Sequence, residues 1–261
     1  MLELPTPALI GVVHLHALPG SPRHVLSMEE IVERALADAR ILEDAGFDAV
    51  LLENYGDAPY FADTTEPGSV AGMAVVAEHV RRAVSMPIGV NALRNDAMAA
   101  LGIAAAVGAA FIRVNVHCGV TATDQGMIEG RAAQSLRYRK RLGRPVVILA
   151  DVHVKHGTSL NQPDIAAAAR ETAYRGLADG LIVTGPATGE PVDFEQLTKV
   201  RDAVPDRRLF VGSGATADTV ASLLTIATGV IVGTGIKEHG ETAGPVDASL
   251  ARAFARATGR R

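Results

Sequence analysis

The chain has 261 residues, nearly half of them apolar, and 29 acidic against 25 basic residues give a formal net charge of -4. This balance disfavours nucleic-acid binding, and the one dense basic cluster, residues 137–141, is more typical of a solvated helix face. A single cysteine, Cys118, excludes an internal disulfide and fits a reducing compartment. With no signal-like start and no apolar run of membrane length, we expect a cytoplasmic protein without nucleic-acid or membrane partners.

Eight short apolar runs alternate with eight helical patterns along the chain. The predicted strands span residues 9–15, 48–53, 87–91, 110–114, 145–150, 180–184, 208–211 and 229–232. The predicted helices span residues 27–46, 69–84, 96–107, 131–142, 163–175, 194–203, 217–224 and 246–257. This alternation indicates parallel strands with helical crossovers, and eight units favour one closed (β/α)8 barrel, a TIM barrel, as a single domain of residues 1–261. Loops 54–68 and 115–129 are too long to be mere connectors.

Two turns of glycine and hydroxyl residues follow the last two strands. Residues 212–216 read Gly-Ser-Gly-Ala-Thr, and residues 233–237 read Gly-Thr-Gly-Ile-Lys. Glycine lets the backbone approach a ligand, successive N–H groups attract an anion, and barrel phosphate sites commonly follow strands seven and eight. We therefore predict one phosphate held by both turns; the alternative is that the glycines only close tight turns. The predicted phosphate-binding residues are Gly212, Ser213, Gly214, Ala215, Gly233, Thr234 and Gly235.

Carboxylates end two of the predicted strands. Burial of Glu53 would raise its pKa and suit a general acid or base, whereas a salt bridge to a residue such as Arg113 is the structural alternative. Arg113 lies within an apolar strand and needs an anionic partner, either Glu53 or the substrate. Asp151 is a second candidate base, and Lys155 is a candidate acid or partner for a second anionic group. The alternative places Lys155 and His156 on a mobile lid that faces water.

Other polar residues stand at the strand ends. They are His14, His16, Asn54, Asn91, Arg94, Asn115, His117, Thr184 and Thr188. His14 and His16, at alternate strand positions, could share a metal ion with Asp151 and either His153 or His117, as in barrel hydrolases. Those enzymes need an acidic residue at the end of the last strand, where this chain has Gly-Thr-Gly. We therefore expect no metal and no other cofactor.

Several segments resemble the BtpA/SgcQ family. They include Val-Val-His-Leu-His-Ala-Leu-Pro-Gly-Ser-Pro, Ala-Val-Leu-Leu-Glu-Asn-Tyr-Gly-Asp-Ala-Pro-Tyr and Val-Gly-Ser-Gly-Ala-Thr, within residues 9–237. The resemblance implies a ribulose-phosphate-binding type of barrel in a family named for photosystem I biogenesis, with other members labelled as sugar- or nucleoside-metabolising. The family's recurring polar positions correspond here to His14, Glu53, Asn54, Asp57, Asn91, Arg94, Asn95, Asp96, Arg113 and Asn115. His16 departs from the family pattern, which weakens the metal hypothesis.

Residues and resemblance together favour an enzyme acting on a phosphorylated sugar or a phosphoribosyl or nucleoside-type molecule, as an isomerase, lyase or nucleosidase. The predicted catalytic residues are Glu53, Asp151, Asn91, Arg113 and His14. The predicted substrate contacts are Asn54, Arg94, Asn115, Lys155 and Thr184. Two alternatives stay open: a non-catalytic BtpA-type assembly factor and a metal-dependent barrel hydrolase. The alanine-rich helix faces also leave room for pairing between two copies.

Overall fold

The computed structural model describes residues 4–161, 164–185, 187 and 189–259. The strands, in chain order, are β1 (Ala8–His14), β2 (Ala49–Glu53), β3 (Ile88–Asn91), β4 (Phe111–Val114), β5 (Val120–Thr123), β6 (Gly126–Glu129), β7 (Val147–Val152), β8 (Gly157–Ser159), β9 (Gly180–Val183), β10 (Arg208–Val211) and β11 (Gly229–Val232). Eight of them close a parallel barrel in the order β1-β11-β10-β9-β7-β4-β3-β2. The predicted (β/α)8 barrel is confirmed.

Helices follow the barrel strands as the sequence pattern predicts. They are α1 (Met28–Asp44), α2 (Pro67–Ala83), α3 (Ala97–Val107), α4 (Ala132–Leu142), α5 (Ile165–Arg170), α6 (Phe194–Ala203), α7 (Val220–Leu223) and α8 (Ala248–Ala257). The capping box predicted for α1 is present, since the Ser27 side chain accepts from Glu30 N and the Glu30 carboxylate accepts from Ser27 N. Helix α5 continues as a π-helical turn, Glu171–Arg175, and the predicted start at Pro163 lies outside the described residues. No helix among the described residues is both long and apolar enough to cross a bilayer.

Side-chain alternation separates two apolar layers and positions the site. Because successive strand residues point to opposite faces, every second residue of a barrel strand points inward. The inward layer contains residues such as Ile10, Leu51, Phe111, Leu149 and Ile231, while the other face of each strand packs against the helices. The next inward position toward the carboxyl end of each strand therefore faces the mouth of the barrel.

The second long loop is more ordered than the sequence analysis expected. Strands β5 and β6 form an antiparallel hairpin with Asp124 and Gln125 at its tip, and β8, from the loop after β7, pairs with the other edge of β5. Residues 115–129 are thus partly strand, and the loop that carries Lys155 and His156 is joined to them by β8. This three-stranded sheet spans two neighbouring exits of the barrel.

Candidate functional site

The mouth layer begins with three polar residues in register. His14 on β1 lies beside Glu53 on β2, which lies beside Asn91 on β3. Arg113 on β4 and Asp151 on β7 occupy the corresponding inward positions two residues after Phe111 and Leu149. All five predicted catalytic residues therefore meet at one end of the barrel.

The two glycine turns lie against each other, and the second lies beside His14. A Cβ atom on Gly235 would stand 2.8 Å from the carbonyl oxygen of Ala215, and one on Gly233 would stand 2.6 Å from Cε1 of His14. Four main-chain N–H groups, those of Gly214, Ala215, Thr234 and Gly235, have no acceptor among the described residues. Ala215 is buried, Gly214 and Thr234 are half-buried, and Gly235 is exposed. Buried N–H groups are normally paired, so those of Gly214, Ala215 and Thr234 in particular are donors available to a ligand.

Neighbouring loops hold the two turns in place. Gly185 N donates to Ser213 Oγ at 3.0 Å, and the hydroxyl groups of Thr234 and Thr242 are 2.9 Å apart. Gly214 has φ +69°, and a Cβ atom there would stand 1.9 Å from the carbonyl oxygen of Glu190. This glycine is required by the local backbone, whether or not a ligand is bound.

Two neighbouring cavities occupy the mouth. The glycine cavity, about 180 Å³, is bounded by the turns 212–216 and 233–235 and by His14 and Arg113. The tyrosine cavity, about 410 Å³, is bounded by Tyr55, Tyr60 and Arg94. Glu53 and Lys155 belong to the walls of both cavities. A molecule that fills both would therefore have its middle beside Glu53 and Lys155.

Glu53 is ionised and hydrogen-bonded. It is 4% exposed, and its Oε2 accepts from Asn91 Nδ2 at 2.7 Å. Burial acts to raise its pKa, but the charges of Arg113 and Lys155 and the Asn91 hydrogen bond outweigh that effect and hold the pKa below its usual value. The expectation of a raised pKa was wrong, because basic neighbours surround this carboxylate. Glu53 is thus suited to accept a proton rather than to donate one.

His14 is a neutral imidazole beside that carboxylate. Its Nε2 lies 3.8 Å from Glu53 Oε1, and its ring centroid lies 5.0 Å from that of Tyr55. Burial lowers its pKa from 6.5 to about 3, despite the opposing charge of Glu53. Its buried Nδ1 has no hydrogen-bond partner among the described residues. At neutral pH the side chain therefore adds no charge to the glycine cavity.

Arg113 and Asp151 form a buried ion pair. Arg113 Nε and Nη2 donate to the two carboxylate oxygens of Asp151, each at 2.9 Å, and Asn115 Nδ2 adds a third bond at 3.0 Å. The Arg113 pKa is raised, because the attraction of Asp151 exceeds the effect of burial. The partner of Arg113 is therefore Asp151 and not Glu53. With both oxygens engaged, Asp151 is poorly placed to act as an independent base.

Lys155 and Arg94 supply the other positive charges. Arg94 Nη2 donates to the main-chain oxygen of Lys155 at 2.5 Å. Burial lowers the pKa of the Lys155 amine, with Arg113 adding to the effect and Glu53 and Asp151 opposing it. The Lys155 amine forms no ion pair with a carboxylate of the described residues. Lys155 thus faces the junction of the cavities, which disfavours the mobile-lid alternative.

Several predicted site residues are engaged in the architecture. Asn54 accepts from Leu93 N at 2.7 Å and donates to Asp57 at 3.0 Å, so both ends of its amide hold loops together. Asn95 exchanges two hydrogen bonds with the main chain of Val116. Thr184 has a buried hydroxyl without a partner among the described residues, and Thr188 lies outside them.

Lys237 follows the second glycine turn, but it does not line the glycine cavity. It is fully buried, its amine donates to Asp38 on α1 at 2.8 Å, and it is absent from the wall of the glycine cavity. The positive charge of Lys237 is therefore neutralised by Asp38 of α1.

The described residues contain no group of three His, Cys, Asp or Glu side chains arranged to hold a metal ion. His16 Nε2 lies 3.1 Å from Arg34 Nη1, and Asp151 is occupied by Arg113. His153 has a positive φ of 53° and borders a separate, small cavity. The suggested set of His14, His16, Asp151 and His153 is therefore not assembled.

Sequence reasoning predicted Glu53, Arg94, Asn115 and Lys155 but missed other residues in the walls of the tyrosine cavity. Tyr55 and Tyr60 lie on the long loop after β2, and Asp124 and Gln125 form the tip of the β5–β6 hairpin. Two features of the sequence could have indicated these residues: the length of the first loop, and Gly126 directly after the two tip residues. Gly126 has φ +96°, a conformation that glycine adopts readily in tight hairpin turns.

Comparison with known proteins supports this architecture. The model of the BtpA family matches residues 6–260. The photosystem I biogenesis protein BtpA of Synechocystis is 44% identical over 246 residues, covering 94% of this chain and 86% of that protein. The putative sgc region protein SgcQ of Escherichia coli is 31% identical over 250 residues, covering 95% and 92%. Among solved structures, the phosphoribosyl anthranilate isomerase of Thermus thermophilus superposes with a TM-score of 0.61 at 12% identity, covering 97% of this chain and 98% of that one, which shows the fold alone.

Proposed function

The chain belongs to the BtpA family, and we propose that it is an enzyme acting on a phosphorylated sugar or a phosphoribosyl or nucleoside-type molecule. One observation carries the proposal: four main-chain N–H groups, two from each glycine turn, have no acceptor among the described residues and border a cavity whose wall also contains Glu53 and Lys155. The proposal takes residues 1–261 as one cytoplasmic barrel domain that binds a small ligand.

The phosphate would occupy the glycine cavity. Phosphate oxygens accept hydrogen bonds strongly, and Gly214, Gly233 and Gly235 leave no side chain between the backbone and the ligand. A phosphate bound there fixes the rest of the molecule relative to the side chains of the mouth. Such remote binding energy can position the reacting carbon atoms.

Glu53 and Lys155 are the best acid–base pair that the site offers. The Glu53 carboxylate, oriented by Asn91, accepts a proton from a carbon or hydroxyl group of the ligand at the junction of the cavities. The Lys155 ammonium stabilises the negative charge that develops on the neighbouring oxygen, or returns a proton to it. This chemistry suits an isomerase or a lyase, and Arg113 and Asp151 serve it by keeping the mouth rigid.

A charge placed at the rim of the glycine cavity tests the proposal. Thr216 is exposed there, and its main-chain oxygen accepts from Thr219 N and Val220 N at the start of α7. Thr216→Asp adds a carboxylate at this exposed position of the rim. A carboxylate about 5 Å from the phosphate costs ~3 kcal/mol per unit charge at an effective dielectric constant of about 20. Thr216→Asn is the neutral control.

Calorimetric titration with ribose 5-phosphate, inorganic phosphate and ribose gives the readout. Wild type and Thr216→Asn should bind both phosphate compounds and not ribose, while Thr216→Asp should bind them at least ~100-fold more weakly. Two outcomes would contradict a phosphate site in the glycine cavity. One is equal affinity of all three proteins for the phosphate compounds, and the other is equal binding of ribose and ribose 5-phosphate.

A non-catalytic role is the second candidate, favoured by the 44% identity to a protein named for photosystem I biogenesis. Buried charged groups at the mouth argue against it, because a scaffold gains nothing from their desolvation. Incubation with a panel of sugar phosphates, followed by NMR, separates the two roles: an enzyme converts at least one of them, and a scaffold converts none.

A further inference from the structure

Arg94 is a buried guanidinium group without a carboxylate partner. The residue is 5% exposed and lines the tyrosine cavity. One of its side-chain donors reaches the main-chain oxygen of Lys155, and its main-chain N–H donates to Phe61 O. Among the described residues it forms no ion pair. A buried charge normally has a partner, so the guanidinium requires a further explanation.

The acidic residues nearby do not satisfy it. Asp151 is held by Arg113, and Glu53 is hydrogen-bonded to Asn91. Both attract Arg94 only through space, and burial still lowers its pKa. In the interior of the tyrosine cavity, Arg94 and Lys155 thus face one carboxylate, that of Glu53, while Arg23 and Asp124 lie at the exposed rim.

The walls of the same cavity also carry neutral polar side chains. The amides of Asn115 and Gln125 line it together with Arg94. A side-chain amide has both donors and an acceptor, which match the hydroxyl groups of a sugar chain. The cavity therefore combines a cation for an anionic group with amides for hydroxyl groups.

We propose that the tyrosine cavity binds a second anionic group through Arg94, so that the ligand is a sugar phosphate with an acidic group at each end: a sugar bisphosphate or a phosphorylated sugar acid. The inference rests on the proposed phosphate site in the glycine cavity. Glu53 and Lys155 belong to the walls of both cavities, so a molecule that spans the two would pass beside these side chains. Its hydroxyl-bearing middle then lies beside the proposed base, and its second anion lies against the guanidinium.

Calorimetric titration with four compounds tests the proposal: ribose 5-phosphate, ribulose 1,5-bisphosphate, fructose 1,6-bisphosphate and 6-phosphogluconate. Wild type should bind at least one of the last three ~10-fold or more tightly than ribose 5-phosphate, as expected for one added charge-assisted contact. A preference for 6-phosphogluconate identifies the second anion as a carboxylate, and a preference for a bisphosphate identifies it as a phosphate.

Arg94→Gln should abolish this preference and change the affinity for ribose 5-phosphate by less than ~3-fold, while Arg94→Lys should retain part of it. Lys140→Gln, at an exposed position of α4, is the control for loss of one positive charge. Binding of ribose 5-phosphate by wild type without any preference overturns the second subsite alone. Failure of all four compounds to bind overturns the phosphate site as well. The wild-type measurement therefore tests both subsites, even if an Arg94 variant does not fold.

Discussion

Two carboxylates of the mouth, Glu53 and Asp151, occupy corresponding inward positions near the ends of their strands and yet have different surroundings. Asp151 accepts two bonds from Arg113 and one from Asn115. Glu53 accepts one bond from the neutral amide of Asn91 and faces both cavities. The residue on the neighbouring strand decides the outcome: an arginine turns a carboxylate into a structural anchor, and an asparagine leaves it available for chemistry.

The largest effect on stability is expected from Asp151→Asn. The substitution leaves the buried Arg113 without its counter-charge, and breaking such a pair typically costs about 3–5 kcal/mol. Urea unfolding followed by circular dichroism measures the loss. Replacing both partners, as in Arg113→Met with Asp151→Leu, should recover much of it. A loss below about 1 kcal/mol for Asp151→Asn would mean that the two carboxylates are equivalent after all.

An intermediate effect is expected from the pH dependence of His14. Burial holds its folded-state pKa at about 3, against 6.5 for the exposed side chain. As the pH falls below 6.5, the unfolded chain takes up a proton that the folded chain does not, so stability is complete above 6.5 and declines toward pH 3. Within that interval, each pH unit lowers the free energy of unfolding by ~1.4 kcal/mol.

Unfolding free energies of wild type and His14→Gln at pH 6.5 and 4.5 test this. The wild type should lose about 2–3 kcal/mol more than the variant over that interval. His79→Gln, at an exposed position of α2, is the control for loss of a histidine. Parallel losses in wild type and His14→Gln would show that the imidazole is protonated in the folded protein.

The smallest effect on stability, with the largest effect on turnover, is expected from Glu53→Gln. The amide oxygen of glutamine can still accept the hydrogen bond from Asn91, so the free energy of unfolding should change by less than about 1 kcal/mol. Removal of a general base typically lowers the rate by about 100-fold or more. Rates are measured on whichever sugar phosphate the wild type converts. An unchanged rate would assign Glu53 a structural role like that of Asp151.

The barrel was predictable because its signals are local. Each strand is a short apolar run, and Ser27 with Glu30 sets the start of α1 within four residues. The partners of Arg113 and Lys237 were not predictable, since they depend on which strands and helices become neighbours: Arg113 and Asp151 are 38 residues apart. The three-stranded sheet of β6, β5 and β8 was missed for the same reason, because β8 lies in a different loop from the other two strands.

The pairing of Lys237 with Asp38 joins segments 199 residues apart, and Val246 N donates to the same carboxylate. Contacts of such long sequence separation form only after most of the chain is in place. During synthesis on the ribosome, α1 therefore emerges with an acidic side chain whose partner does not yet exist. Chains that end before residue 237 should leave this helix loosely attached and open to proteases, and completion of the last β/α unit should protect it.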